Sequence, residues 1–171
     1  VLEVEFCKAL RYEPDSGTLL LISGVGWDEG LVGSARVPDD TGSQAGYTLV
    51  SREPVIVESL PEEQRFSGPK LLIDHGVISG ISCVIEGRDS PYGVFAVHTR
   101  EQRQFTADDA NFLVSVANML SNALQARQAR ETIYNNEAPF RTISNPIPHL
   151  ACTTYETGYI FWYNDRWYEY T

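Results

Sequence analysis

The feature that most constrains this chain is a long helical pattern that begins near Thr106. Thr106 is a typical N-cap residue, and Asp109 stands three positions on, where an acid completes a capping box. Apolar residues then recur at helical spacing, at Phe112, Leu113, Val116, Ala117, Leu120, Ala123 and Leu124. Beyond Leu124 this stripe thins. The pattern therefore predicts a helix over residues 106–131 that outruns the core on which its first half packs.

The residues before this helix have the patterns of strands and short helices. Strand-like runs at 4–13 and 18–23 flank the turn residues Pro14-Asp15-Ser16-Gly17 and predict a hairpin. Runs at 78–86 and 92–99 predict a second hairpin, apolar on both faces and hence central in a covered sheet. Between the hairpins, short helices are predicted at 44–51 and 69–75 and a strand at 55–58. This order predicts an α+β fold with a mostly antiparallel sheet.

The pattern after the helix is broken by prolines at Pro139, Pro146 and Pro148. Two further strands are predicted at 149–155 and 159–163, around a turn at 156–158. A two-stranded ribbon alone is marginal in water. We therefore expect the aromatic tail over residues 159–170 to be covered by the first domain or by a second chain.

Composition and charge exclude several classes of partner. The chain has 171 residues, is 43% hydrophobic and carries a formal net charge of -10, from 23 acidic and 13 basic residues. Nucleic acid and anionic membranes require a basic footprint, so neither is expected as a partner. With no apolar stretch of spanning length and no leader pattern, the fragment is expected to be cytoplasmic. Because it starts at Val1 rather than Met, we expect it to be part of a longer protein.

Motifs for chemistry are weak. The three cysteines, Cys7, Cys83 and Cys152, lie far apart in apolar runs, which predicts small buried thiols rather than disulfides. None of the three histidines has a second ligand at metal-binding spacing, and no serine-nucleophile motif is present. The Gly-rich run at 24–30 lacks the dinucleotide fingerprint and is interpreted as a structural turn. No metal site and no catalytic residues are expected.

Seven segments, in their order and spacing, resemble those of a bacterial GAF domain. They are 24–33 (GVGWDEGLVG), 43–49 (SQAGYTL), 53–57 (EPVIV), 65–66 (RF), 75–80 (HGVISG), 92–98 (YGVFAVH) and 105–113 (FTADDANFL). The resemblance covers residues 2–130, about three quarters of the chain. It implies a central, mostly antiparallel sheet with flanking helices, a lid of small helices over one face, and a pocket between lid and sheet.

The last residues are similar to the opening of a PAS domain, in the segments 143–150 (ISNPIPHL), 158–160 (GYI) and 164–171 (NDRWYEYT). The resulting prediction is a GAF domain over 1–130, including the start of the connecting helix, a linker over 131–148 and a truncated PAS-like start over 149–171. A GAF domain followed by a PAS domain resembles the sensory half of a sensor histidine kinase in a two-component system.

The ligand signatures of known GAF subfamilies do not match this sequence. Bilin-binding members attach the chromophore through a Cys-His pair, where this chain has Ser67-Gly68, so a covalent bilin is not expected. The Asn-Lys-x-Phe-Asp signature of the cyclic-nucleotide-binding members is absent, and the cysteines do not match those of the GAF-type methionine sulfoxide reductases. The cofactor and the ligand therefore remain unassigned.

The resemblance does imply a set of pocket residues. Phe66, Leu72 and His75 would face the cavity from the lid, and Ile81 and Cys83 from the sheet. Arg65 and Ser82 would be its polar anchors. An apolar lining with few polar groups is typical of small-molecule pockets, and it equally fits an ordinary core.

The leading functional hypothesis is a non-catalytic sensory module that signals through the helix at 106–131. In this hypothesis the helix pairs in a parallel homodimer, with Leu113, Ala117 and Leu124 at the contact and Phe112, Val116 and Met119 or Leu120 packed inward. The alternative is a ligand-free scaffold for dimerisation or protein interaction. A third reading, a small redox or hydrolytic enzyme, would use Cys83 as nucleophile, although its apolar strand disfavours a reactive thiolate.

Overall fold

A computed structural model describes residues 2–144, 152–163, 167 and 169. The chain divides into two compact units, Val1–Gln125 and Ala126–Thr171. Among the described residues no helix is both long and apolar enough to cross a membrane. The predictions for residues 145–151, and most of those for 164–171, lie outside the described residues.

The first unit is built on one six-stranded antiparallel sheet. Its strands are β1 (Phe6–Glu13), β2 (Thr18–Val25), β3 (Arg36–Pro38), β4 (Val55–Val57), β5 (Ser79–Glu86) and β6 (Pro91–Thr99), in the order β3-β2-β1-β6-β5-β4. Its helices are α1 (Gln44–Ser51), α2 (Lys70–Asp74) and the long α3 (Ala107–Ser144). Both predicted hairpins are present, as β1-β2 and β5-β6. The α+β class and the mostly antiparallel sheet are confirmed.

Each central strand has two buried faces. On β5, Ile81, Cys83 and Ile85 pack with residues of α3. Ser82, between them in sequence, points to the other face and bonds to residues of α1. Successive strand residues point to opposite sides of a sheet, so the same strands carry both sets of contacts. The sheet therefore separates a helix face, covered by α3, from a lid face, covered by α1, α2 and the loop after β2.

The N-terminus of α3 is the predicted capping box. The Thr106 hydroxyl accepts a hydrogen bond from the Asp109 amide, and the Asp109 carboxylate accepts one from the Thr106 amide at 2.8 Å. These bonds to Thr106 hold the pKa of Asp109 below its usual value. The capping box fixes the residue at which the helix begins.

The predicted division of the faces of α3 is wrong. Leu113 and Ala117, expected at a dimer contact, are each 1% exposed and pack on the sheet, and Leu124, expected there as well, is partly buried against the same cluster. Phe112 and Met119, expected inside, are 44% and 69% exposed, whereas Leu120, the predicted alternative to Met119, does pack against the core. Because neighbouring helical positions lie about 100° apart, a pair such as Phe112 and Leu113 cannot share one face. The sheet selects the face that contains Leu113.

The helix also extends further than predicted. It runs to Ser144 rather than ending near residue 131, and it passes Pro139, which was expected to break it. Ala126, Arg127 and Gln128 are exposed and are strong helix formers, so helix propensity favours continuation of the helix beyond the first unit. A proline within a helix removes one hydrogen bond and need not end it.

The second unit contains a small hairpin of β7 (Cys152–Thr154) and β8 (Ile160–Tyr163). Its two strands and the turn between them agree with the predicted strands and turn. Gly158, with φ at 82°, lies in the left-handed region of that turn. Tyr155 and Tyr159 stack with ring centroids 6.4 Å apart.

Candidate functional site

The lid face contains an open pocket between its small elements. The pocket has a volume of about 630 Å³ and is lined by Leu60, Pro61, Glu63, Phe66, Ser67, Gly68, Ile73, Gly76, Val77 and Ile78. This lining is mostly apolar, and the volume is in the range of ordinary small-molecule sites. Phe66, one of the predicted pocket residues, lines it directly. Leu72 belongs to the same apolar cluster but is fully buried beneath it.

Arg65 is held within its own loop. Its guanidinium contacts the Glu63 carboxylate at 2.6 Å and donates to the Ile56 carbonyl at 2.7 Å. It also lies over the rings of Tyr47 and Phe66, at 5.7 and 5.5 Å from their centroids. The hydrogen bond from Arg65 lowers the pKa of Glu63. Arg65 therefore braces the lid, and Glu63 rather than Arg65 borders the pocket.

His75 joins α2 to the loop after β2. Its Nε2 accepts a hydrogen bond from the Asp28 amide at 3.2 Å, so Nδ1 carries the proton and donates to the Leu71 carbonyl at 2.8 Å. The ring also packs edge-on against Trp27, with centroids 5.0 Å apart. His75 is thus a lid residue, but it does not line the pocket that the resemblance assigned to it. Both of its nitrogens are engaged within the protein.

Two of the predicted pocket residues lie on the wrong side of the sheet. Ile81 and Cys83 pack on the helix face with Leu113 and Ala117, and a ligand under the lid cannot contact them. The error has a physical cause. Five consecutive residues from Ser79 to Cys83 are buried. Because this strand is buried on both faces, polar and apolar residues do not alternate, and the sequence does not show which side of the sheet each residue faces.

Ser82 is the predicted anchor that does face the lid. Its hydroxyl lies 2.7 Å from the Thr48 hydroxyl and accepts from the Gln44 amide at 3.1 Å. Thr48 also donates to the Gln44 carbonyl within α1. This small buried polar network links α1 to the centre of the sheet.

Both cysteines of the first unit are at least partly buried. Burial raises the pKa of Cys83 to about 12, so the thiolate is scarce at neutral pH. Cys7 is half-buried, and Cys152, predicted to be buried, is exposed because the short hairpin that carries it leaves it uncovered. Among the residues that the structure describes, no cluster of three or more His, Cys, Asp or Glu side chains could hold a metal ion.

A second polar centre lies under the lid, and the sequence reading missed it. Lys8 on β1 is 2% exposed and His98 on β6 is 1% exposed. Both ring nitrogens of His98 lack a hydrogen-bond partner. A signal was available in the sequence, since Phe6 and Leu10 are inward-facing and the period of two places Lys8 on the same face.

Burial and mutual repulsion set the charge of this pair. Burial lowers the pKa of Lys8 to about 7. Burial, and then the neighbouring Lys8 ammonium, hold the pKa of His98 well below its ordinary value. At neutral pH the imidazole is therefore uncharged, and the amine lies near its own midpoint.

Small residues make room for the two side chains. Along the register, Lys8 lies between Gly24 of β2 and Ala96 of β6. Gly80 of β5 pairs with His98, and a Cβ at Gly80 would lie 2.4 Å from the His98 Nδ1. Any larger residue at Gly80 would thus displace the imidazole.

Trp27 covers this centre from the loop after β2. Its indole donates to the Cys7 carbonyl at 2.7 Å, and the Lys8 ammonium lies 5.3 Å from its ring centroid. The ring stands edge-on to His98 at 6.1 Å. A Cβ at Gly24 would lie 2.7 Å from the indole, so this glycine leaves the space that the Trp27 ring occupies.

The fold and the family comparison define the class of protein. A curled six-stranded antiparallel sheet, with small helices over one face and a long C-terminal helix over the other, is a GAF-like fold. The GAF domain family model matches residues 1–124. The chain belongs to the GAF domain family, whose members are sensory or regulatory modules of signalling proteins.

Solved structures share this fold at low sequence identity. A GAF domain of a phosphoenolpyruvate-protein phosphotransferase from Coxiella burnetii is 18% identical with a TM-score of 0.66, covering 77% of this chain and 76% of that one. A domain of a putative two-component sensor histidine kinase from Sinorhizobium meliloti is 15% identical with a TM-score of 0.62, covering 78% and 87%. Free methionine-R-sulfoxide reductase from Neisseria meningitidis is 19% identical with a TM-score of 0.62, covering 75% and 72%. No curated protein matches the chain.

Proposed function

We propose that this chain is the non-catalytic sensory part of a bacterial signalling protein. In this proposal the lid-face pocket binds a small molecule, and α3 transmits the conformational change that binding causes. One observation carries the proposal. The strands that form the floor of the lid face also form the surface on which α3 packs. On β5, Ser82 bonds to α1 while its neighbours Ile81 and Cys83 pack against α3.

This arrangement gives a physical route from pocket to helix. Tightly packed interiors move as connected bodies rather than deforming locally. A ligand that draws the lid toward the sheet shifts the residues of β5 and β6, and their opposite-facing neighbours shift with them. Leu113 and Ala117, fully buried on those neighbours, carry the displacement into α3. A ligand that binds more tightly when α3 has one of two packings shifts the equilibrium toward that packing.

The parent protein is proposed to be a sensor histidine kinase. The fold shared with the domain from Sinorhizobium meliloti agrees with this context. The similarity of residues 149–171 to the start of a PAS domain supports it as well, with the GAF domain at 1–130 and a linker at 131–148.

We propose that α3 pairs in a parallel homodimer through the face that the sheet leaves uncovered. Phe112, Val116, Met119, Ala123 and Ala126 follow one another at spacings of four and three, the period of a coiled-coil seam. Phe112, Met119, Ala123 and Ala126 are exposed and Val116 is half-buried. This seam lies beside the buried stripe and leaves the core contacts of α3 intact.

The ligand-free scaffold remains the second candidate, and the exposed seam favours it equally. Ligand binding in the pocket distinguishes the sensory function from the scaffold function. The open volume of about 630 Å³ beside Phe66 favours sensing, since a pure scaffold gains nothing from an apolar pocket left unfilled.

The test is a thermal-shift screen of haem and a panel of metabolites against the wild type and two variants. Ile73 lines the pocket and is 63% exposed, while Val50 on α1 is 65% exposed and does not line it. Ile73→Glu should abolish the Tm increase from any pocket ligand, and Val50→Glu should preserve it. If no compound raises the Tm of the wild type, the scaffold function replaces sensing.

A further inference from the structure

We propose that His75 and Asp28 form a pH-dependent switch that sets the position of the loop after β2. In this proposal the neutral imidazole holds the loop through the Asp28 amide, and the protonated imidazole holds it through the Asp28 carboxylate. The switch is a property of the ligand-free protein. It therefore stands or falls independently of the small molecule proposed for the pocket.

The first argument is that the hydrogen bonds of His75 require a neutral ring. Nδ1 donates to the Leu71 carbonyl at 2.8 Å, and Nε2 accepts from the Asp28 amide at 3.2 Å. A ring that carries both protons is a donor at both nitrogens. Protonation would therefore direct the new Nε2–H at the Asp28 N–H. Since the His75 side chain is only 5% exposed, water cannot easily separate these two donors.

The second argument is that Asp28 also offers an acceptor for the protonated ring. Its carboxylate oxygen Oδ2 lies 3.5 Å from Nε2, and its side chain is 84% exposed and therefore little restrained by packing. Hydrogen bonds between a charged N–H and a carboxylate are shorter, at about 2.7 to 2.9 Å. Protonation should bring the carboxylate inward and turn the amide of the same residue away from the ring. Each protonation state thus has its own backbone position at Asp28.

The loop on either side of Asp28 determines where this change can spread. Gly26 is fixed against β1, because its φ is 89° and a Cβ there would lie 2.3 Å from the Glu5 carbonyl oxygen. At Gly30, by contrast, no atom lies within 4 Å of the position of a Cβ. The loop is therefore held before Asp28 and open after it. A movement at Asp28 should spread through residues 28–34 rather than into β2.

Trp27 should respond to the switch, since it directly precedes Asp28. Its ring centroid lies 5.0 Å from that of His75, and its indole donates to the Cys7 carbonyl at 2.7 Å. Rotation of the peptide between Trp27 and Asp28 changes the position of the indole relative to His75. The environment of the Trp27 ring is therefore an observable for the switch.

Charged and titratable groups surround His75 on the neighbouring elements. They are Asp28 on the loop, Asp74 on α2, Arg100 after β6 and, beyond Trp27, Lys8 on β1 and His98 on β6. Arg100 donates from Nε to the His75 carbonyl at 2.9 Å and opposes protonation of the ring, whereas the Asp28 carboxylate favours it. Burial lowers the pKa of Lys8 to about 7, so its amine must be separated from His75 by mutation. The pKa of His98 is held well below its ordinary value, chiefly by burial.

One consequence of the switch rests on the proposed function. Ile73 and Gly76, which flank His75 in sequence, both line the pocket. A displacement of His75 changes the position of this lining, so the affinity of a pocket ligand should depend on pH. The switch itself is tested without ligand. Its failure and the failure of the pocket are therefore distinguishable.

NMR of the full chain tests the switch. Histidine labelled with ¹⁵N shows the tautomer and the charge of each ring, and 5-fluorotryptophan gives one ¹⁹F signal for each of the 3 tryptophans. His75→Gln and Trp27→Phe assign the signals. The titration runs from about pH 8 to about pH 5, where the charge of histidine ordinarily changes. The His75 ring should carry its proton on Nδ1 at the start, and the Trp27 signal should move with the same midpoint as the protonation of His75.

Four variants isolate the two groups of the switch. In Lys8→Met the Trp27 signal should still titrate, and the addition of His75→Gln should remove that titration, because glutamine gains no charge. Asp28→Asn should lower the midpoint by a few tenths of a pH unit, since the protonated ring loses its anion. Glu29→Gln, which removes a neighbouring exposed carboxylate, should leave the midpoint unchanged.

Several results would overturn the switch. A neutral His75 with its proton on Nε2, or a ring that stays neutral down to about pH 5, would contradict the exchange of hydrogen bonds. A Trp27 signal that stays constant while His75 titrates, or that titrates equally after His75→Gln in the Lys8→Met chain, would remove the link to the loop. Equal midpoints for Asp28→Asn and Glu29→Gln would show that the Asp28 carboxylate has no part in it.

Discussion

At the residue scale, Lys8 is the least expected group in the molecule, and its burial has a measurable cost. Its pKa is about 7 in the folded protein and 10.5 in the reference state. Since the folded pKa is depressed, the penalty is fully present below pH 7, shrinks as pH rises and vanishes above about 10.5.

Lys8→Met should therefore be more stable than the wild type at pH 6, by on the order of 2 to 5 kcal/mol, because it removes a desolvated charge. The difference should narrow as the pH is raised from 7 to 10. Urea unfolding of both proteins at several pH values checks this, with Lys70→Met as the exposed control. A variant less stable than the wild type at pH 6 would show that Lys8 has a partner.

Cys83 gives a second prediction at this scale. Because burial raises its pKa to about 12, iodoacetamide at pH 8 should leave Cys83 unmodified in the folded protein. Cys152 is exposed and should react readily, which provides an internal control. Peptide mass spectrometry distinguishes the two. Rapid modification of Cys83 in the folded protein would instead support the hypothesis of a redox or hydrolytic enzyme that uses Cys83 as nucleophile.

Residue roles were the hardest part to predict from the sequence. Phe66 lines the pocket as predicted, whereas His75 lies in the lid but does not line the pocket. Ile81 and Cys83 were misplaced because their strand is buried on both faces. Lys8 was overlooked because a lysine is expected at the surface, although its inward phase follows from Phe6 and Leu10.

At the element scale, local patterns were sufficient where a signal was unambiguous. The Pro14-to-Gly17 turn, α1 and the capping box at Thr106 all match their predicted positions. The phase of α3 was ambiguous because Phe112 and Leu113 are both large and apolar. Only the tertiary contact with the sheet decides between them.

The two faces of α3 should respond differently to mutation. Leu113→Ala removes a fully buried side chain and should lower stability by about 2 to 5 kcal/mol. Met119→Ala, at a 69% exposed position, should change the stability of the isolated subunit by less than about 0.5 kcal/mol. Chemical unfolding at low protein concentration measures both. Equal losses would show that the burial of the two faces is misassigned.

At the scale of the whole molecule, the same helix would link one subunit to another. Light scattering at tens of micromolar should give the mass of a dimer for the wild type, and Met119→Glu should give a monomer because it places repelling charges in the seam. Asn118→Glu, at an exposed position outside the seam, should leave the dimer intact. A monomeric wild type would exclude this dimer.

The central claim is that ligand binding on the lid face changes the packing of α3 on the opposite face of the sheet. Hydrogen exchange followed by mass spectrometry tests it most directly, with and without the compound that most raises the Tm in the screen of haem and metabolites. The account predicts altered exchange both in the lid, at 60–78, and in α3, at 107–125. Altered exchange confined to the lid, with α3 unchanged, would contradict it.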